Sequence, residues 1–206
     1  MKLYVICTVL LGLLILAYAE KTEKEAALAA RQLLNSTIHA ELVTIVSNTE
    51  KPDLNGFPFG SLEYITPDCT SNNGDVIMYL ADISVEGEDV QRDGERVSVT
   101  IRDLTYYRDT DGPGVMDRAR LSLLGTIAPI ADDQVKDVES CFFKIHPDAA
   151  YWKYAHVFRM WRLTPKEIYW VGGFGSRHYI GWISVDLYQT ATSAALVVKQ
   201  QRKRRV

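Results

Sequence analysis

The sequence predicts a mainly β domain, a small barrel of six to eight mostly antiparallel strands accompanied by two or three helices. Two Asn-Gly pairs, at residues 55–56 and 73–74, supply the positive φ angles that tight hairpin turns need. Residues 96–104 alternate between apolar and polar side chains, as a half-buried strand does. Because an open antiparallel sheet of this size would expose its edges, closure into a barrel is expected.

The first half of the chain is predicted to begin with a helix and to continue as a meander. Residues 23–34 are rich in Ala, Leu, Gln and Glu, which favour a helix. Residues 39–47 are β-branched and apolar on both faces, which predicts a central strand. With the two Asn-Gly turns, residues 39–82 should form three consecutive antiparallel strands. Residues 86–93 are expected to be a polar, acidic connector before the strand at 96–104.

The second half is predicted to start with an irregular insertion at residues 106–117, which are rich in turn formers. Residues 119–130 then favour a long strand, with Gly125 as a bulge or bend. Asp132 and Asp133 follow, and they are expected to cap the next helix and to complement its dipole.

Helical spacing of apolar residues predicts one buried face for that helix. These residues are Val135, Val138, Phe142 and Ile145. Pro147 should end the helix. Residues 157–163 and 168–174 are predicted strands of a hairpin, joined by a turn at 164–167, and residues 179–185 are expected to close the sheet.

The two ends of the chain differ from its body. Residues 1–19 have the pattern of a secretory signal peptide, with one basic residue, an apolar run shorter than a membrane span and a small-residue cleavage site; an uncleaved anchor is the alternative.

The charge of the chain is unevenly distributed. The net charge is −3, and residues 191–206 hold five basic residues and no acid, so an acidic domain at 20–190 carries a basic tail. The acidic domain argues against nucleic-acid binding. Three roles remain open for the tail: binding a protein or an anionic surface, removal by a protease, or solvation.

These ends predict entry into the secretory pathway, with the extracellular space or the lysosome or vacuole as the destination, and no transmembrane span in the mature chain. Cys69 and Cys141 remain after cleavage, and in an oxidising compartment such a pair suggests one disulfide; two buried free thiols are the alternative. Asn35 begins the only Asn-x-Ser/Thr triplet and is the candidate glycan acceptor.

Several segments, in a fixed order, carry a likeness to a known family of folds. They are residues 56–61 (GFPFGS), 118–121 (RARL) with Gly125, 146–147 (HP), 168–175 (IYWVGGFG) and 182–188 (WISVDLY). In this order they resemble the CREG-like family, a branch of the pyridoxamine 5′-phosphate oxidase superfamily of FMN-binding split barrels. The resemblance implies a homodimer with clefts at its interface. In FMN-binding relatives the flavin lies in those clefts, whereas in CREG-like relatives an inserted loop fills them and a binding role replaces catalysis.

An FMN phosphate requires a cradle of cationic and hydroxyl donors. The resemblance points to Ser61 for the hydroxyl, with Arg96 and Arg102 as candidate cations. The acidic residues of segment 86–93 lie near the expected phosphate, and their repulsion argues against tight FMN binding.

Aromatic residues supply the remaining site predictions. Tyr106 and Tyr107, in the insertion, are candidates for the loop that fills the cleft. All four tryptophans fall within residues 152–182, where aromatic packing is expected in the core and at an interface. Within this segment, Trp161 and Trp170 are the residues expected to form the dimer face.

Three functions remain in competition after the sequence is read. The first is a binding protein without catalysis of its own. The second is an FMN-dependent oxidoreductase, in which the flavin would carry the chemistry. The third is a haem-binding protein, which rests on His146 or His178. The four histidines lack metal-ligand spacing, and no pairing of a nucleophile with a base is recognisable, so no metal ligand or catalytic residue is predicted.

Overall fold

The structure of this chain, a computed structural model, describes four stretches of the sequence. They are residues 22–47, 50–104, 114–175 and 178–191. The predicted signal peptide at 1–19, the candidate loop residues Tyr106 and Tyr107, and the basic tail from residue 192 lie outside the described residues.

The described stretches contain seven strands and four α-helices. The strands are His39–Ile45 (β1), Pro58–Pro67 (β2), Val76–Ala81 (β3), Val97–Arg102 (β4), Arg120–Pro129 (β5), Phe158–Val171 (β6) and Ile180–Ile183 (β7). The helices are Glu23–Ser36 (α1), Val85–Arg92 (α2), Asp132–Ile145 (α3) and Val185–Thr190 (α4). None of these helices has the length and apolar character that crossing a membrane requires.

The strands form one sheet in the order β3-β2-β1-β4-β5-β6-β7, and every neighbouring pair is antiparallel. An additional pairing between β3 and β6 closes the first six strands into a barrel. This closure removes the open edges of β3 and β6 where they meet, which is the physical reason that a barrel was expected. The predicted mainly β barrel is confirmed, as is the meander of β1, β2 and β3.

Strand β6 differs from the prediction for residues 157–174. A hairpin with a turn at 164–167 was expected there, but one 14-residue strand runs straight through these residues. Gly125 pairs with Pro165 while Leu124 pairs with Glu167, so Lys166 is an extra residue at a β-bulge. A bulge tolerates proline within a sheet, which explains why a turn-like sequence stays extended. The hairpin of this region is instead formed by β6 and β7.

The interior of the barrel is closed at one side by α1. A capping box formed by Thr22 and Glu25 starts this helix. The helix then buries an apolar face, made by Ala26, Ala27, Ala30 and Leu34, against the barrel core. Arg31 lies on the same buried face, which makes it the one charged residue in that stripe.

A second apolar cluster lies on the outside of β3 and β6, beneath α3. Val138 and Phe142 of this helix are fully buried there, whereas Ile145 is exposed. The N-cap of α3 is Ala131 and no side chain caps it, so the expected capping by Asp132 and Asp133 is wrong. Both acids lie in the first turn, where a negative charge complements the helix dipole.

Residues 86–93 do not form the expected polar connector, because most of them belong to α2. The Ser84 side chain caps this helix by accepting a hydrogen bond from the Gly87 amide at 3.1 Å. Glu86 and Asp89, which looked like solvated acids in the sequence, are buried. The acidic segment is therefore mostly a short helix that buries two of its acids, Glu86 and Asp89.

Candidate functional site

Ser61 lies on β2, opposite Leu42 of β1. Its hydroxyl donates a hydrogen bond to the Glu63 carboxylate at 2.8 Å. The Glu63 side chain in turn contacts Glu86 of α2, which is only 8 % exposed. Burial, with a smaller contribution from the Glu86 carboxyl, raises the pKa of Glu63 to about 7, although the hydrogen bond from Ser61 lowers it. Ser61 therefore belongs to an acidic pair rather than to a cradle for a phosphate.

The two candidate cations, Arg96 and Arg102, flank opposite ends of β4. They are six positions apart along extended chain, a span of roughly 20 Å. Arg96 binds Asp93 at 2.6 Å, and Arg102 is paired with Glu41 across the sheet. Each guanidinium is thus neutralised by its own carboxylate, and the two point to different clefts.

The larger of these clefts has a volume of about 360 Å³ and lies on the outer face of the sheet. Its floor is apolar, with Val43, Ile45 and Leu124 among the lining residues. Charged residues of both signs form the rim, where Lys166 binds Glu95 at 3.3 Å. Lys166 is also the extra residue of the bulge in β6. This cleft is therefore better suited to bind a partner with an apolar surface and charges of both signs than to bind a dianionic phosphate.

The smaller cleft, of about 210 Å³, lies at the other end of β4. Arg102 and His39 line it, together with Ile38 and the end of α1. The side chain of Asn35, the candidate glycan acceptor, is exposed in the last turn of α1, beside this cleft.

Among the described residues, the donors that the sequence offered for an FMN phosphate do not converge. Ser61 donates to an acid, and Arg96 and Arg102 lie at opposite strand ends with a carboxylate each. A bound phosphate needs several donors that converge on it, each within hydrogen-bond distance of a phosphate oxygen. Within one chain, these residues do not fit FMN. Asp89, one of the buried acids of α2, accepts from Thr44 at 2.7 Å and from the Ser47 amide at 2.8 Å.

The histidines differ in how far their rings are already engaged. His146 is buried, stacks on Tyr64 with ring centroids 4.3 Å apart, and places Nε2 3.0 Å from the Ile65 carbonyl oxygen. His178 packs against Gly173, and its buried Nδ1 atom has no hydrogen-bond partner among the residues that the structure describes. The ring of His146 is therefore committed to the fold, whereas that of His178 keeps one nitrogen unsatisfied.

Trp161 and Trp170 are not on the surface. Only 4 % and 3 % of these residues are exposed, and both belong to the barrel core. The placement contradicts the prediction that their side chains form a dimer face, because alternate residues of β6 point inward and both tryptophans are inward residues. Trp182 of β7 is the exposed tryptophan of this region, at 54 %, and its ring contacts Tyr169 edge-on.

Two polar assemblies were only partly indicated by the sequence. In one, Cys69 and Cys141 form a disulfide, the first of the two alternatives for this pair, and it ties the β2–β3 loop to α3 with Cα atoms 6.5 Å apart. Beside it, Arg162 of β6 binds the buried Asp68 at 2.7 Å. Burial alone would raise the pKa of Asp68, but hydrogen bonds from Thr70 and the charge of Arg162 hold it below its ordinary value.

The second assembly centres on Arg31 of α1. Its guanidinium donates to the carbonyl oxygens of Tyr188 and Gln189 at 3.1 and 3.3 Å, and to Asn72 through two oxygens, each at 3.0 Å. The signal was present in the sequence, because Arg31 stands four residues after Ala27 and three before Leu34 in an apolar stripe. A lone arginine there indicates a buried polar contact, but not which carbonyls it meets.

Comparison with known proteins now decides the family. A model of the family described as CREG, beta-barrel matches residues 21–190. The chain belongs to the CREG β-barrel family. The resemblance drawn from the sequence is thereby confirmed, together with the split-barrel fold. No curated protein matches the chain.

Solved structures share the fold of this CREG barrel. A haem-binding protein from Mycobacterium smegmatis superposes with a TM-score of 0.63 at 22 % identity, over 83 % of this chain and 61 % of that protein. ChuZ of Campylobacter jejuni gives 0.61 at 15 % identity, over 84 % and 66 %. The haem storage protein HutZ of Vibrio cholerae gives 0.53 at 15 % identity, over 72 % and 95 %. At these identities the likeness shows the fold alone.

Proposed function

We propose that this CREG barrel is a binding protein of the secretory pathway, extracellular or endolysosomal or vacuolar, without catalysis of its own. One observation carries the proposal: Ser61, Arg96 and Arg102 do not converge, and each is already bonded to a carboxylate. A flavin enzyme has to fix the phosphate of its cofactor before the ring can be positioned for electron transfer. The described residues of one chain offer no such fixed set of donors.

The experiment that tests this proposal is an absorbance spectrum of the protein purified from a secreting cell, recorded before and after incubation with excess FMN and desalting. We expect no flavin absorbance to remain with the protein after desalting. Stoichiometric FMN that stays bound, together with oxidation of a substrate, would overturn the proposal in favour of an FMN-dependent oxidoreductase.

Entry into the secretory pathway is a separate part of the proposal. It is supported by the signal-like residues 1–19, by the exposed position of Asn35 and by the disulfide between Cys69 and Cys141. We expect secreted protein to begin at residue 20 and to lose mass on treatment with an endoglycosidase. Asn35→Gln should remove that mass difference. A retained N-terminus or an unglycosylated secreted chain would contradict this part.

We also propose a homodimer, in which a second copy covers the outer face of the sheet around the larger cleft. The support is an apolar surface on that face, where Leu62 is 64 % exposed and where Val43, Ile45 and Leu124 line the cleft. Light scattering after size exclusion should give twice the monomer mass, and Leu62→Glu should lower it. Trp182→Ala serves as a control, because Trp182 lies at the far edge of the sheet, on β7. A monomeric wild type would refute the dimer.

Haem binding is the second candidate function, and one feature of this chain favours it. His178 keeps a buried ring nitrogen without a partner, whereas His146 is engaged with Ile65. The structural neighbours from M. smegmatis and V. cholerae are described as haem-binding and haem-storage proteins. Titration with haemin decides the matter. A shifted Soret band that His178→Ala abolishes would support this function, and an unchanged band would eliminate it.

A further inference from the structure

Two exposed tyrosines share one face of a short 3₁₀-helix that follows α3. This helix, Ala149–Tyr154, has about three residues per turn, so residues three positions apart lie on the same face. Ala149 and Trp152 share the inner face and pack against the apolar cluster beneath α3. Tyr151 and Tyr154 share the outer face, and 72 % and 80 % of these residues are exposed. The two tyrosines of this turn therefore contribute little to the core.

Exposed aliphatic residues extend this face. Val157, just before β6, is 61 % exposed, and its carbonyl oxygen accepts a hydrogen bond from the Asp82 amide at 2.9 Å. The end of β3 thus lies beside Val157, and Ile83, the residue after Asp82, is 65 % exposed. We call Ile83, Tyr151, Tyr154 and Val157 the tyrosine surface. Neighbouring exposed apolar side chains of this kind mark interaction sites.

An open groove of about 400 Å³ lies along the tyrosine surface, at residues 153–158. Its lining combines apolar groups with two basic side chains, Lys153 and His156. The Lys153 ammonium lies 5.8 Å from the centroid of the Tyr154 ring. Among the described residues, no acid lines this groove. The tyrosine surface therefore combines apolar groups with positive charge.

The acids closest in the chain are bonded to other groups. Asp82 binds Arg159 at 2.9 Å, and Asp148 accepts a hydrogen bond from the Tyr64 hydroxyl at 3.0 Å. In the described part of the chain, no carboxylate forms an ion pair with Lys153. Because the domain at 20–190 is acidic as a whole, a basic groove on it favours an anionic partner.

A second exposed aromatic surface, at the other end of β6, has the opposite charge. Trp182 contacts Tyr169 there, eleven positions from the start of β6 and roughly 35 Å along the strand. Two acids lie close to it. Glu23 accepts from a backbone amide just after β7 at 2.8 Å, and Asp186 lies in the first turn of α4. Of these two aromatic surfaces, the tyrosine surface is the one suited to an anionic partner.

We propose that the tyrosine surface docks onto membranes that contain anionic phospholipids. Tyrosine suits the boundary of a bilayer, because its ring is apolar and its hydroxyl is polar. Ile83 and Val157 enter the same boundary, and Lys153 meets the negative charge of the headgroups. An acidic peptide satisfies Lys153 alone, whereas a lipid surface offers charge and hydrocarbon together. The proposal requires neither the secretory destination nor the dimer.

The test is co-sedimentation of the full-length secreted protein with vesicles of phosphatidylcholine, with and without phosphatidylserine. We expect binding that increases with phosphatidylserine. Lys153→Ala should weaken it about fivefold, the effect of one basic residue at an anionic surface. Tyr154→Ser combined with Val157→Ser should weaken it tenfold or more, because two apolar groups no longer leave water.

Matched controls come from the opposite end of β6. Trp182→Ala removes an aromatic ring that is 54 % exposed, and Lys24→Ala removes an exposed lysine from the start of α1. Both should bind vesicles as wild type does. Urea unfolding establishes that each variant is folded. If the double serine variant does not fold, Ile83→Ser replaces it in the comparison.

The basic tail is a second source of attraction to anionic lipid. The assay is therefore repeated in full-length protein in which Arg202, Lys203, Arg204 and Arg205 are all replaced by glutamine. Binding should persist in this protein and should still depend on Lys153 and Tyr154.

Brominated acyl chains, which quench tryptophan at short range, locate the docked face. Quenching should fall in Trp152→Phe, whose ring lies on the 3₁₀-helix, and should not fall in Trp182→Phe. Binding that the tail variant abolishes, or that Lys153→Ala and the serine variants leave unchanged, would overturn the proposal. Retention on immobilised polyglutamate without binding to vesicles would also overturn it, in favour of an acidic protein partner.

Discussion

Replacing Arg31 by alanine should destabilise the fold more than any exposed cation does. The guanidinium makes four hydrogen bonds, to Tyr188, Gln189 and two oxygens of Asn72, and only 4 % of the residue is exposed. A net value of about 1 kcal/mol for each bond, with unsatisfied carbonyl groups left behind, gives a loss of about 3–5 kcal/mol. The ring of Tyr188, over which the guanidinium lies at 5.3 Å, loses a further contact.

Urea unfolding followed by tryptophan fluorescence measures this loss, because the four tryptophans all lie in the second half of the barrel, far from the mutation in sequence. Arg31→Lys keeps the charge but not the fork of donors, and we expect it to recover less than half of the loss. Arg96→Ala is the control, since Arg96 is exposed and forms one ion pair, worth at most about 1 kcal/mol. A loss below 1 kcal/mol for Arg31→Ala would refute the view that this residue joins α1 to α4.

Three further results are expected. Trp170→Ala should cost about 3–5 kcal/mol and Trp182→Ala less than about 1 kcal/mol in urea unfolding, because only the former leaves a cavity. Reduction of the bond between Cys69 and Cys141, which closes a loop of 72 residues, should cost about 2–5 kcal/mol when unfolding is repeated with a reductant. Burial raises the pKa of Asp75, so its stability contribution is present at low pH and lost as the pH rises. Wild type should therefore gain stability over Asp75→Asn on acidification, and an unchanged gap would contradict this.

The fold was predictable where local chemistry and global structure agree. Gly56 and Gly74 adopt φ angles of 88° and 86°, as the Asn-Gly pairs required, and residues 97, 99 and 101 are buried as their alternation indicated. The error at residues 164–167 arose because Pro165 reads as a turn residue unless the bulge beside it is known. That bulge depends on pairing with β5, about 40 residues earlier, and no local pattern records it.

The candidate site was less predictable than the fold, for a physical reason. Ser61, Arg96 and Arg102 have the right chemistry for a phosphate, but convergence depends on strand register, which places the arginines at opposite ends of β4. Acidic residues in a short segment such as 86–93 read as solvated because their partners, among them Thr44 and Glu63, lie in other strands. Burial of a polar residue is a property of the whole fold.

The length of β6 has a consequence for how this protein is made. The strand closes the barrel by pairing residues 158–163 with residues 76–81, about 80 positions earlier in the chain. Contacts so distant in sequence form late and slowly. During synthesis, β1 to β5 leave the ribosome before β6 does, so one edge of β3 is still unpaired. Unpaired backbone groups at a strand edge favour aggregation. We therefore expect the growing chain to depend on chaperones until β6 has emerged, and truncations before residue 171 to be degraded rather than to accumulate.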